Sequence, residues 1–186
     1  MAIKPILFNT EMVQAILDGR KSCTRRLVKP QPTAHYGAQC IKPPYQPGDI
    51  LYVRETWKKA PNGYYYYESW QRNDIADVTK WKPSIHMPKK AARIWLKVTD
   101  VRVERLQEIT EDGAKAEGIN DEWVCSWWRP TYYDPDSGRY PRYRDTFAFD
   151  LWDSTIKKSD IDRYGWNANP WVWVIEFERC EKPEGV

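Results

Sequence analysis

The densest group of chemically useful side chains lies between residues 16 and 32. This stretch holds five basic residues and one acidic residue, so its local charge of +4 exceeds the +3 of the whole chain. The basic residues are Arg20, Lys21, Arg25, Arg26 and Lys29. Adjacent arginines on a strand point to opposite faces, so at least one of Arg25 and Arg26 is predicted to face a cleft, where a guanidinium binds phosphate. The alternative for either arginine alone is an ordinary surface salt bridge.

Aromatic side chains give a second indication of ligand binding. The chain has 11 Trp, 12 Tyr and 4 Phe, and such rings stack on nucleobases or pack in cores. The candidates for a base-stacking wall are Trp57, Trp81, His86 and Trp95. Core packing is the alternative for Trp57 and Trp95, which fall on predicted strands, and a structural histidine is the alternative for His86.

Short elements are predicted to position these residues. Pro5–Phe8 is a predicted strand, and a helix capped by Asn9 or Thr10 ends at Gly19, before a strand over residues 22–28. Further strands are predicted at residues 50–54 and 171–178, and residues 92–106 predict two strands or one strand with a bulge. Short helices are predicted from Ile109 to Gly118 and over residues 145–156.

This order of elements predicts the α+β class, with a curled or closed β-barrel flanked by short helices. The length of 186 residues favours a single domain over residues 1–186. Two polar, aromatic stretches, at about 58–90 and 120–140, are predicted to be insertions, with a hairpin arm at residues 64–67.

The run Gly19-Arg20-Lys21-Ser22-Cys23-Thr24-Arg25-Arg26 resembles the motif of the ASCH domain, a member of the PUA-like superfamily. A Gly48-Asp49 turn before a strand, the helix at 109–119 and the strand at 171–177 also match. The segments PILF, WKPSIHMPKKAARI and GWNANPWVWVIEF resemble the longer ASCH-like proteins of phages and prophages.

The resemblance implies a PUA-like β-barrel whose cleft binds RNA, a nucleotide or a modified nucleoside. Some small ASCH proteins are amidohydrolases that remove the acetyl group from N4-acetylcytidine. Carried over to this chain, their roles imply Lys21 as proton acceptor, Thr24 as nucleophile and Glu117 as proton donor. Arg20, Arg25, Arg26, Trp57 and His86 are then the predicted substrate-binding residues.

Amide hydrolysis makes physical demands on these three residues. Lys21 can accept a proton only if burial or neighbouring positive charge lowers its pKa, whereas nearby helix carbonyl ends would favour its charged form. Residues three apart on a strand face opposite sides, so Lys21 must lie in the turn before the strand that carries Thr24. Glu117 precedes a helix-ending glycine, where the helix dipole disfavours a carboxylate and so suits a proton donor.

Other chemistries lack their sequence signatures. The four cysteines have neither zinc nor disulfide spacing, and no zinc-deaminase, Walker or dinucleotide motif is present, so we predict no metal and no cofactor. A nucleophilic Cys23 among cations is a minor variant. No segment has the apolar length for a membrane span, and we expect a cytoplasmic protein with reduced thiols.

Two alternatives to the hydrolase remain open at the level of the sequence. The chain could be a non-catalytic reader of RNA or modified nucleic acid in a phage context, with binding that depends on salt, Arg25 and Arg26. It could also be an RNase that uses the same cleft.

Overall fold

The computed structural model describes residues 1–33, 41–70, 80–126 and 142–185. The chain divides into two compact units. Unit 1 comprises Met1–Gly19, Tyr45–Thr99 and Phe177–Val186, and unit 2 comprises Arg20–Pro44 and Asp100–Glu176. Both units contain strands and helices, which confirms the predicted α+β class. Parts of the two predicted insertions, residues 71–79 and 127–140, lie outside the described residues.

The strands of the described ranges are, in chain order, β1 (Ile3–Leu7), β2 (Cys23–Leu27), β3 (Ile50–Arg54), β4 (Trp57–Ala60), β5 (Gly63–Tyr66), β6 (Trp95–Arg105) and β7 (Trp171–Cys180). The helices are α1 (Thr10–Leu17), α2 (Tyr67–Trp70), α3 (Glu111–Ala116), α4 (Asp121–Ser126), α5 (Tyr143–Thr146), α6 (Asp153–Thr155) and α7 (Ile161–Tyr164). Five strands form a mixed sheet in the order β1-β3-β6-β7-β2, and β4 and β5 form a separate hairpin.

Unit 1 is built on two pairings of β3. This strand pairs in parallel with β1, from Ile3 opposite Ile50 to Leu7 opposite Arg54, and antiparallel with the first residues of β6. Leu51, Val53 and Leu96 are fully buried on these strands. The hairpin arm predicted around residues 64–67 is confirmed as the β4–β5 pair.

Helix α1 follows the predicted capping pattern. The Asn9 side chain accepts a hydrogen bond from the Met12 backbone N–H at 2.9 Å, and Val13 and Ile16 are among its buried residues. Gly19 has φ of +75°, a left-handed conformation that only glycine adopts readily, so it ends the helix as predicted.

Unit 2 is organised around β7. Strand β2 pairs antiparallel with β7, with Thr24 opposite Ile175 and Arg26 opposite Trp173. Leu106, just after β6, donates its backbone N–H to the Pro170 carbonyl at 2.9 Å, beside the start of β7. β7 is buried on both faces from Trp171 to Ile175, which explains its continuous apolar run there, and it alternates beyond that point, with Phe177 buried and Glu178 exposed.

The structure settles the form of two predicted elements, the strand region at 92–106 and the helix at 145–156. Residues 92–106 contain one continuous strand, β6, which extends from Trp95 to Arg105. The helix predicted over 145–156 begins earlier, at Tyr143, and its central part, Phe147–Trp152, is a π-helix. Phe147, Leu151 and Trp152 are buried there, as their spacing predicts.

Within the described ranges, none of the helices is both long enough and apolar enough to cross a bilayer.

The Gly48-Asp49 turn fixes the entry to β3 through one carboxylate. Asp49 accepts hydrogen bonds from Lys4 Nζ at 2.8 Å, from the Ala2 backbone N–H at 2.8 Å and from the Gln46 backbone N–H at 3.1 Å. The hydrogen bond from Lys4 is the main cause that lowers the pKa of Asp49 below its usual value.

We expect Asp49→Asn to lower the free energy of unfolding by about 1–2 kcal/mol at pH 7, because it removes the charge from these bonds. A carboxylate with a lowered pKa stabilises the fold above its unfolded pKa and loses that contribution as pH falls through its folded pKa. The difference between wild type and variant, measured by urea unfolding, should therefore shrink below pH 3.8. Glu184→Gln, at an exposed position, is the control and should have little effect; an equal loss in both variants would contradict the role of Asp49.

Candidate functional site

Two parts of unit 2 that are far apart in sequence meet at a buried ion pair. Lys21 Nζ lies 2.7 Å from Glu117 Oε2 and donates a second hydrogen bond to the Glu117 backbone carbonyl at 2.8 Å. The Lys21 side chain is 0% exposed and the Glu117 side chain 3%. The structure thus brings together two of the three predicted catalytic residues.

Local backbone geometry places each member of this pair. Lys21 precedes β2, which begins at Cys23, so it lies in the turn as the alternation argument requires. The Ser22 backbone N–H donates to the Ala116 carbonyl at 3.0 Å and holds this turn against the end of α3. Glu117 is the C-cap residue of α3, and Gly118 follows with φ of +103°.

The carbonyl that Lys21 binds differs from the one considered in the sequence. The expectation was that helix carbonyl ends near Gly19 would favour the charged lysine. Lys21 Nζ donates to the backbone carbonyl of Glu117, the C-cap residue of α3, within unit 2.

Burial decides the pKa of Lys21. Loss of solvation lowers the pKa of Lys21 from its usual 10.5, and this effect outweighs the attraction of Glu117, which raises it. The positive charge of Arg26 lowers it further. The sequence left these opposing effects unresolved, and in the structure burial has the larger effect, so the Lys21 ammonium loses its proton more readily than an exposed lysine does.

Arg25 is a second cation on the same carboxylate. Its Nη1 lies 3.2 Å from Glu117 Oε1, and its Nη2 lies 3.6 Å from Glu104 Oε2. The Arg25 side chain is 3% exposed, so its guanidinium binds protein carboxylates where the sequence predicted substrate. A Cβ at Gly113 would lie 3.3 Å from Arg25 Nη2, so the absence of a side chain at Gly113 avoids crowding of the guanidinium.

The ion pairs continue from this buried centre to the surface. Glu104 also accepts a hydrogen bond from Arg102, whose guanidinium binds Asp100 and Glu176 as well. Arg102 is 41% exposed. The sequence analysis missed Glu104, although its place among alternating charged residues of β6 was the available signal.

Thr24 is buried on β2 at 3% exposure. Arg25 Nη1 lies 3.8 Å from Cys23 Sγ, which places these alternate residues on one face of the strand together with Glu117. Strand alternation assigns Thr24 and Arg26 to the opposite face. No contact between the Thr24 hydroxyl and Lys21 or Glu117 occurs among the described residues.

Cys23 is not activated by its cationic neighbours. Burial raises the pKa of the Cys23 thiol to about 12, and the nearby Glu117 charge raises it too, while Arg25 and Lys21 have smaller opposing effects. The raised pKa argues against the suggested nucleophilic role of Cys23, because this environment disfavours the thiolate that reacts.

The remaining predicted binding residues fall into two groups. Arg20, in unit 2, donates from Nη1 to the Gly118 carbonyl at 2.5 Å, and Arg26 is half-buried on β2. Trp57 and His86 belong to unit 1. There Trp57 is 5% exposed and packs with Met87 and Ala91, which favours the core-packing alternative, whereas His86 is exposed in a 3-10 turn.

In the part of the chain that the structure describes, no three His, Cys, Asp or Glu side chains cluster as a metal ion would require.

No protein-family model matches the chain, and no curated protein matches it. Among solved structures, an ASCH domain from Lactobacillus crispatus JV V101 is similar, at 15% identity and a TM-score of 0.41 over 96% of this chain and 79% of that one. A protein from Enterococcus faecalis V583 is similar at 12% identity and a TM-score of 0.44, over 97% of this chain and 76% of that one. The first of these bears the family name that the Gly19–Arg26 motif resembles.

Removing the shared carboxylate should unfold the centre of unit 2. Glu117→Gln leaves Lys21 and Arg25 buried without their common counter-charge, so we expect a loss of about 3–5 kcal/mol in the free energy of unfolding. The matched control is Glu178→Gln, which removes the partner of Lys97 from an exposed pair 3.8 Å apart and should cost less than about 1 kcal/mol. Urea unfolding of both variants makes the comparison, and equal losses would contradict the buried role of Glu117.

Cys23 should resist alkylation in the folded protein. We expect iodoacetamide at pH 8 to modify the exposed Cys125 much faster than Cys23, because the Cys23 thiol is buried and its pKa is raised. Peptide mass spectrometry measures the two rates, and both should become similar in denaturant. Fast modification of Cys23 in the native state would show that the site is open.

Proposed function

We propose that the protein binds RNA or a nucleoside and hydrolyses an N4-acylated cytosine, with Lys21 and Glu117 as its proton-transferring residues. The observation that carries this proposal is the 2.7 Å contact between Lys21 Nζ and Glu117 Oε2, formed by residues 96 positions apart. The family resemblance selected these two residues from many lysines and glutamates, and the lowered pKa of Lys21 suits a proton acceptor.

The proposed reaction has two half-steps. The Thr24 hydroxyl adds to the acyl carbon while the neutral form of Lys21 takes its proton. Lys21 passes this proton to the Glu117 carboxylate, 2.7 Å away, and Glu117 delivers it to the departing N4 amine as the C–N bond breaks. Water then hydrolyses the resulting threonine ester and releases the acid. The roles of Lys21 and Glu117 are supported by the family resemblance and by the contact between their side chains. The role of Thr24 is supported by the family resemblance alone.

Access to the pair is part of the proposal. Because Lys21 and Glu117 are 0% and 3% exposed, a substrate reaches them only when the packing around them opens. The reaction therefore requires a local conformational change, as in enzymes whose closed state excludes water.

A non-catalytic reader is the second candidate, and the same burial favours it. A sealed ion pair with an additional arginine can hold α3 against β2 without any chemistry, while neighbouring basic groups such as Arg20 and Arg26 bind phosphate. This candidate predicts nucleic-acid binding without turnover.

The deciding experiment measures release of cytidine from N4-acetylcytidine. We expect Lys21→Met, Thr24→Val and Glu117→Gln each to reduce turnover by about 100-fold or more, since each removes one proton-transferring or bond-forming group. Turnover by the wild type should rise with pH as Lys21 loses its proton, with a midpoint below 10.5.

The matched control for Lys21→Met is Lys97→Met, because Lys97 also pairs with a glutamate but is 52% exposed. It should keep wild-type turnover. Circular dichroism of each variant separates loss of chemistry from loss of folding, and Thr24→Val serves as the variant that leaves the ion pairs intact. If Thr24→Val and Lys21→Met turn over substrate as fast as the wild type, the proposed mechanism is wrong. If the wild type shows no turnover, the non-catalytic reader is the remaining candidate.

A further inference from the structure

Residues 54–93 of unit 1 concentrate positive charge. They contain nine Lys and Arg against four Asp and Glu, a net charge of +5 in a chain whose total is +3. This excess is larger than that of the Gly19–Arg26 region, and the proposed chemistry of Lys21 and Glu117 does not use it.

The acidic residues described in this segment are already engaged. Arg93 binds Glu55 through two hydrogen bonds, Nε to Oε1 at 2.9 Å and Nη2 to Oε2 at 2.8 Å, and it binds Glu68 at 3.1 Å. The Glu55 side chain is 3% exposed and the Glu68 side chain 11%. These two carboxylates therefore contribute little to the field at the surface.

The other described cations of the segment have no acidic partner among the described residues. Within the ion pairs of the described ranges, none involves any of Arg54, Lys58, Lys59, Lys80, Lys82, Lys89 and Lys90. Five of these seven are exposed: Lys59, Lys80, Lys82, Lys89 and Lys90. We call these seven side chains the 54–90 basic patch.

Packed backbone holds much of the patch in place. Lys82 exchanges two backbone hydrogen bonds with Trp57, at 2.8 and 3.1 Å, so it lies beside β4 on the edge away from β5. Met87 and Ala91 are buried against Trp57, which fixes the turn that exposes Lys89 and Lys90. A preorganised array of cations loses less conformational entropy on binding than flexible ones do.

Aromatic side chains alternate with these cations. In the β4–β5 register Lys58 lies opposite Tyr65 and Lys59 opposite Tyr64. The Lys82 ammonium lies 5.3 Å from the centre of the Trp57 ring, and Tyr67 and Trp81 make an edge-to-face contact at 5.4 Å. The tyrosines of β5 are half-buried. Tyr64 and Tyr66 pack against the Trp57 cluster, and strand alternation assigns Tyr65 to the other face of β5.

We infer that the 54–90 basic patch binds single-stranded nucleic acid, with its cations on phosphates and Tyr65 against an unstacked base. Cations interleaved with aromatic rings favour a single strand, because the bases of a duplex are stacked and hidden from tyrosine. An anionic lipid surface would need apolar side chains beside the lysines, and among the described residues of this segment only Ile85 is a strongly exposed large hydrophobic residue. The inference rests on the proposed binding of RNA and assigns a surface to it, and it is independent of the proposed hydrolysis.

The test compares two triple variants that remove equal charge. Lys82→Ala, Lys89→Ala and Lys90→Ala together remove exposed cations of the patch, and Lys157→Ala, Lys158→Ala and Lys182→Ala remove exposed lysines elsewhere. Fluorescence anisotropy measures the Kd for labelled 12-nucleotide oligouridine RNA and oligothymidine DNA, with KCl varied from about 50 to about 200 mM. Vesicles of phosphatidylcholine with phosphatidylserine form a third arm.

We expect the patch variant to bind the RNA or the DNA more weakly and to lower the slope of log K against log salt by about 2, since each lost phosphate contact contributes about 0.7. The control triple variant should keep the wild-type slope. Tyr65→Ala should weaken binding by about tenfold without changing the slope, because stacking releases no counterions. Equal slopes in the two triple variants, or lysine-dependent binding to vesicles alone, would overturn the inference.

The same experiment separates this inference from the proposed hydrolase. Turnover of free N4-acetylcytidine by the patch variant, with no oligonucleotide binding by the wild type, would remove the patch and keep the enzyme. Lysine-dependent oligonucleotide binding without any turnover would keep the patch and remove the enzyme.

Discussion

The Glu117 carboxylate accepts hydrogen bonds from both Lys21 and Arg25 in a region closed to solvent. Charges taken out of water are tolerated only when partners replace the lost hydration, and here one carboxylate serves two cations. Glu104 supplies the second negative charge, 3.6 Å from Arg25, so two buried cations face two carboxylates. The junction of β2 and α3 depends on this balance, because Lys21 lies in the turn before β2, Arg25 on β2 and Glu117 at the C-cap of α3, while Glu104 comes from β6.

The backbone around the junction explains why it can form. Thr110 caps α3 by accepting from the Gly113 N–H at 3.0 Å, and the positive φ of Gly118 lets the chain leave directly after Glu117. Gly113 leaves space for the Arg25 guanidinium, which also lies 5.7 Å from the centre of the Phe147 ring. A chemically unusual centre thus rests on ordinary helix-capping rules, and its unusual property, a lysine with a lowered pKa, follows from burial.

Charge is distributed very differently in the two units. In unit 2 two of the four cations of the motif, Lys21 and Arg25, pair with protein carboxylates, so the residues that look most like a phosphate site in sequence are partly neutralised by the fold. In unit 1 one arginine, Arg93, engages two acids, and the surrounding lysines remain exposed. Net charge alone hides this contrast, because +3 is the small difference between 29 basic and 26 acidic residues.

Signals between neighbours along the chain are enough to predict the Asn9 cap, the Gly19 and Gly118 helix ends, the strand at Ile50–Arg54 and the apolar strand β7. The family motif further predicts that Lys21 and Glu117 act together. The folded chain adds Arg25 and Glu104 to that pair, buries Cys23 with a raised thiol pKa and buries Trp57. The reason is physical: capping and alternation depend on neighbours along the chain, whereas burial, ion pairing and pKa depend on residues brought together from distant positions.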